Sequence, residues 1–164
     1  MIIEPILYTY ANPGQRQILI DVYAVKPFAV ETIKVERIFA DKIFAAEFYY
    51  EREKYFDTAK HLYDVAVMMN LPNIHALIRD RATLLQMIGY KRLEETRRMG
   101  SDLSGKKFRA FSVFKEMQNN AQLADFYKRM QTIYVFKVED VISFDAVTSV
   151  CELLTGVLYE LDNE

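Results

Sequence analysis

The residues that could do chemistry cluster in one stretch, "ADKIFAAEFYYEREKYFDTAKHLYDV", from Ala40 to Val65. At about 100° per residue, helical spacing places Val35, Phe39, Ile43, Ala46 and Tyr50 on one apolar stripe and Ile38, Ala45 and Tyr49 on an adjoining one, with Lys42 between them. Glu36, Arg37, Asp41 and Glu47 fall elsewhere. In the following segment Ala59, Leu62, Ala66 and Met69 form the apolar stripe, while Asp57, Lys60, His61 and Asp64 gather on the opposite arc. A lysine among apolar neighbours either carries its ammonium out along the methylene stem or meets an anion, because an unpaired buried charge is too costly. Two neighbouring helices can therefore present Lys42 and a carboxylate to one cleft. The pattern fits a structural ion pair, and it also fits a working site in which a fixed cation faces an anionic substrate. His61 and Asp64, one turn apart, could orient each other by a hydrogen bond, which alone makes no catalyst.

Other motifs are weaker. "GSDLSGKK" (Gly100 to Lys107) imitates a phosphate-binding loop, but Lys107 stands where a Ser or Thr hydroxyl is needed and no strand precedes it. The two histidines, His61 and His75, have no metal-ligand spacing, and no Ser or Cys sits in a nucleophile elbow. The single Cys151 reads as a small buried apolar residue of a reducing compartment.

The elements that must position Lys42 and Asp64 predict an α+β, mostly α protein. A short N-terminal β element of about two strands, Ile2 to Tyr10 and Phe28 to Val35, flanks "GQRQILIDVYAV", read as a short helix or turn. Helical patterns follow over Glu36 to Glu51, Tyr55 to Asn70, Ile74 to Arg98, Phe111 to Met117 and Ala121 to Tyr134, with a turn at Leu71 to Asn73 and a break at Gly100 to Gly105. Ser143 is placed to cap a last helix through Leu161. The expected division is a sheet remnant, 1–35, and a helical lobe, 36–164.

About half of the 164 residues are apolar and a quarter charged, a globular balance. No apolar run approaches a membrane span and the N-terminus is no signal peptide, so a cytoplasmic protein without membrane contact is expected. Net charge is -2, but it is segregated. Nine Lys/Arg against four acids between Arg79 and Arg109 give a local +5, suited to a polyanion such as tRNA.

"ERIFADK" (Glu36 to Lys42), followed by "AKHLYDV" (Ala59 to Val65), resembles the C-terminal half of the AbiEii/AbiGii family of nucleotidyltransferase toxins. Family members open one helix with an "ER…K" pattern and carry "RH-(Leu/Ile)-Tyr-Asp" or "RD-x-x-D" on the next. They are similar to DNA-polymerase-β-type transferases and are paired with antitoxins in phage-defence and addiction modules. The resemblance implies that Lys42 and Asp64 are catalytic and that Lys60 and His61 bind nucleotide. Lys60 stands where the family usually has arginine, keeping the charge without the planar fork. A fixed cation beside the triphosphate offsets charge on departing pyrophosphate. Carboxylates elsewhere in such enzymes hold two Mg²⁺ ions.

The family's early motifs, a Gly-Ser or Gly-Gly turn and an Asp-x-Asp metal pair, do not occur in the 41 residues before Lys42. Glu4 is a candidate third carboxylate. The resemblance thus implies a C-terminal part, truncated and inactive alone, that holds no metal itself. Mg²⁺ is expected only in a complete enzyme, and nucleoside triphosphate is expected to bind weakly or not at all. Expected partners are an antitoxin, tRNA through residues 79–109, and a second copy through the N-terminal strands. The alternative expectation is a helical interaction module that docks an antitoxin or a separate N-terminal half.

Overall fold

The computed structural model describes residues 2–97 and 102–163. Chain contacts divide it into two units after Lys34. In the first, β1 (Ile2–Ile3) pairs antiparallel with β2 (Phe28–Ala29), Ile2 opposite Ala29 and Ile3 opposite Phe28. Between them lie α1 (Ile6–Tyr10) and α2 (Pro13–Tyr23). An Asn12–Gln15 capping box starts α2, and Arg16 ties it to α1 by donating to the Tyr8 and Thr9 carbonyls.

Both expected strands are thus far shorter than Ile2 to Tyr10 and Phe28 to Val35. Pro5 has no N–H for a ladder, and its carbonyl accepts from Tyr8 and Thr9 instead, starting a helix from residues of high β propensity. β2 ends at Ala29, opposite Ile2, and Val35 already belongs to a helix.

The second unit holds α3 (Val35–Tyr50), α4 (Tyr55–Met68), α5 (Pro72–Arg79), α6 (Arg81–Glu95), α7 (Ser112–Glu116), α8 (Ala121–Tyr134) and α9 (Phe144–Leu161). The fold is α+β and mostly α. Ser143 caps α9, its Oγ accepting from the Ala146 amide at 3.2 Å. The expected helix Ile74 to Arg98 is two helices, because Asp80 leaves helical geometry and caps α6 by accepting from the Thr83 amide and hydroxyl. Arg98 and part of the Gly100 to Gly105 break, and so part of "GSDLSGKK", lie outside the described residues.

Helix α3 is the shared wall of two apolar cores. Phe39, Ile43 and Phe44 meet Leu77, Leu84, Ile88 and Leu154 on one side. Ala46 and Tyr50 meet Leu62, Leu123, Tyr127 and Cys151 on the other. Phe44 packs edge-on against Phe108 and Phe111 at 5.7 and 5.6 Å between ring centres. Cys151 is buried on α9, and that burial pushes its thiol pKa up to about 12. Among the described residues no helix is long and apolar enough to cross a membrane.

Glu47 departs from the spacing argument. It falls off the apolar stripes, yet its exposure is 0%. Its carboxylate accepts from Lys106 Nζ at 2.6 Å and from the Ser112 and Val113 amides at 2.8 and 2.9 Å. Those amides open α7, whose own N-cap, Phe111, has no side-chain acceptor to offer. Lys106 also reaches Glu51 at 2.6 Å. Replacing Glu47 by Ala leaves two α7 amides without their acceptor and Lys106, partly buried, with Glu51 alone, so urea unfolding should show a loss of about 2–4 kcal/mol. Glu51→Ala, at a partly exposed carboxylate, should cost about 1 kcal/mol or less. A loss below about 1 kcal/mol for Glu47→Ala would contradict this account of how α7 is held.

Candidate functional site

Helices α3 and α4 are joined by the short segment 51–54, in which Glu53 takes the left-handed conformation (φ 54°). Lys42 lies eight residues before the end of α3 and Asp64 nine after the start of α4. With equal rise per residue, an antiparallel pair carries them to the same height. Lys42 Nζ stands 2.6 Å from Asp64 Oδ2, with side-chain exposures of 28% and 37%. The lysine between two apolar stripes therefore meets its anion at the mouth of a cleft rather than deep within the core.

That cleft, of about 310 Å³, is lined by Lys42 from α3, by Lys60, His61, Tyr63 and Asp64 from α4, and by Met130 and Tyr134 from α8. Lys60 pairs with Asp57 at 2.6 Å, and the hydrogen bond to Asp57 raises its pKa. Its ammonium also stands 5.5 Å from the centre of the Tyr134 ring. His61 stacks on Tyr49 at 5.3 Å and 21° between planes. Its Nδ1 is buried with no hydrogen-bond partner, so the structure lacks a bond from that atom to Asp64. Burial, and then the charge of Lys42, lower the His61 pKa to about 4. The imidazole is neutral at physiological pH.

The four residues singled out on α3 and α4 thus share one cleft. Glu4 lies apart from them in sequence, exposed between β1 and α1 of the first unit. The apolar stripes assign the stacking partner Tyr49 to the core, and neither spacing nor motif assigns Tyr63, Met130 or Tyr134 a place in the cleft. Nothing local marks Tyr134 as a cleft residue, since its place depends on how α8 packs against α4. The basic stretch is largely spent internally. Arg81 pairs with Glu160, Lys91 with Asp41 and Glu95, and Lys106 with Glu47 and Glu51. Arg92 donates to the carbonyls of Leu103, Ser104 and Lys106, and Arg109 to that of Tyr159.

A family model described as the nucleotidyl transferase AbiEii toxin of a type IV toxin–antitoxin system matches residues 3–149. The chain belongs to the AbiEii toxin family. No curated protein and no solved structure matches it. Nucleotidyl transfer of the kind the family is named for would use divalent metal held by clustered carboxylates. Among the described residues no three His, Cys, Asp or Glu side chains stand close enough to hold an ion. Asp57 and Asp64 are each committed to a lysine. The cleft does not fit a resident metal; it presents two ammonium groups, a neutral imidazole and aromatic walls.

The depressed His61 pKa has a consequence for stability. Between pH 6.5 and about 4 the unfolded chain takes up a proton on His61 that the folded chain refuses, so stability falls as pH falls through that window. In an NMR titration the His61 ring signals should move with a midpoint near 4, and His61→Gln should flatten this part of the stability profile. A midpoint at or above 6 would contradict the described packing.

Proposed function

We propose that this chain supplies the phosphate-gripping lobe of an AbiEii-type nucleotidyltransferase. The observation that carries the reading is the convergence of Lys42, Lys60, His61 and Asp64, the residues on which the resemblance to the family motifs rests, in one cleft. In nucleotidyl transfer an acceptor oxygen attacks the α-phosphorus and pyrophosphate departs. Lys42 and Lys60 offset negative charge on the phosphates and on that leaving group. The aromatic walls of Tyr63 and Tyr134 suit a planar base. His61, as a neutral ring beside Lys42, adds no charge of its own.

In this reading Lys42 and Asp64 belong to the catalytic apparatus and Lys60 and His61 to nucleotide binding, and Mg²⁺ enters only where other carboxylates supply its ligands. The sequence before Lys42 has no Asp-x-Asp, which supports a lobe that grips phosphate without completing the transfer. Family membership supports an antitoxin as partner, and a role in phage defence belongs to the same reading. A tRNA acceptor rests on the exposed cations of 79–109, Arg79, Arg97 and Lys107 among them.

A second reading is favoured by the first unit. It has 34 residues, none of those described is buried, and Ile6, Leu7, Tyr10, Ala11, Ile18 and Leu19 line an apolar groove of about 420 Å³. Units below about 40 residues rarely stand without further support. That groove suits docking of an antitoxin, a separate catalytic half or a second copy.

Calorimetric titration with each of the four nucleoside triphosphates, paired with an assay for label transfer to RNA, separates the readings. The first expects weak binding, lost by about tenfold or more in Lys42→Met, and no transfer by this chain alone. Absence of binding would leave the docking role standing. Robust Mg²⁺-dependent transfer would overturn the absence of metal carboxylates.

A further inference from the structure

Both cations of the cleft are already neutralised from within. Lys42 is held by Asp64 and Lys60 by Asp57, each at 2.6 Å, and His61 is neutral above pH 4 or so. Two ammonium groups and two carboxylates balance, so the cleft presents no net positive charge to draw an anion in. Any phosphate oxygen that reaches Lys42 Nζ meets the place taken by Asp64 Oδ2. Anion binding here is an exchange of partners.

We propose that Asp64 sets specificity by occupying the anion seat on Lys42, so that only ligands carrying several phosphates displace it. The proposal rests on the reading of Lys42 as a phosphate ligand and adds the sign of the aspartate's effect. Orthophosphate offers Lys42 one charge-assisted contact in return for the one it breaks, an even exchange with nothing left to offset immobilisation. A triphosphate spans to Lys60 as well, where the Asp57 pair, three residues apart on one helix, opens by side-chain rotation alone. The displaced Asp64 carboxylate, 37% exposed, is repelled by the phosphates and turns to water. It therefore lowers affinity for every anion, and only ligands with contacts beyond Lys42 have enough left to bind measurably. A residue that itself gripped the phosphate complex would have the opposite effect.

The experiment is metal-free calorimetry with orthophosphate, pyrophosphate and tripolyphosphate on the full chain, comparing wild type, Asp64→Asn, Asp64→Ser and Lys42→Met, with thermal melts confirming each fold. Both Asp64 variants should bind tripolyphosphate about fivefold more tightly than wild type, the worth of a partly exposed ion pair. Orthophosphate binding, too weak to measure in wild type, should rise by a similar factor, and Lys42→Met should lose binding. If Lys42→Met weakens binding while both Asp64 variants bind no better than wild type, the proposal is overturned and the phosphate role of Lys42 stands. If neither wild type nor the Asp64 variants bind in a Lys42-dependent way, the phosphate reading fails and takes the proposal with it.

Discussion

The carboxylate of Glu47 fixes how α3 is turned, and much of the second unit follows from that. It accepts from Lys106 and from the two amides that open α7, so one fully enclosed anion pins the loop before α7, α7 itself and the middle of α3 together. Such an anion is tolerated only because each contact has hydrogen-bond geometry and one partner is charged. With Glu47 turned inward, Phe44 meets Phe108 and Phe111, and Ile43 and Ala46 face the two cores. Lys42 is then left on the arc facing α4, where Asp64 stands at the same height. The position of the candidate site is thus a consequence of packing on the other side of the same helix.

The site is chemically quiet as it stands. Each lysine has a carboxylate, the imidazole is uncharged, and the aromatic side chains of Tyr49, Tyr63 and Tyr134 surround them. The proposed function gives this arrangement a direction, toward nucleotide phosphates. The geometry adds a constraint that family membership does not carry: an anion must compete with the protein's own carboxylates. Among the described residues of the cleft, the Nδ1 of His61 is the one buried side-chain atom without a hydrogen-bond partner.

Periodicity was enough to bring Lys42 and Asp64 together, because both lie on regular helices joined by a short turn and the apolar stripes fix which arc is free. Local chemistry likewise marked α8 and the Ser143 cap of α9. Glu47 was misplaced because its partners are 59 to 66 residues away, and helical spacing near it says nothing of Lys106 or of the α7 amides. The strand Ile2 to Tyr10 was misread because β-branched and aromatic residues outweighed Pro5, which ends the ladder and starts α1. The +5 of residues 79–109 was a correct count that could not reveal its partners, since Asp41, Glu47 and Glu160 all lie outside that stretch. Met130 and Tyr134 join the cleft through tertiary packing alone.

The most direct test of the central claim is a crystal structure of the chain soaked with tripolyphosphate. The account predicts phosphate oxygens within hydrogen-bond distance of Lys42 Nζ and Lys60 Nζ, with the Asp64 carboxylate turned away from Lys42. Tripolyphosphate bound only at exposed cations such as Arg79, Arg97 or Lys107, with the Lys42–Asp64 pair intact, would contradict it.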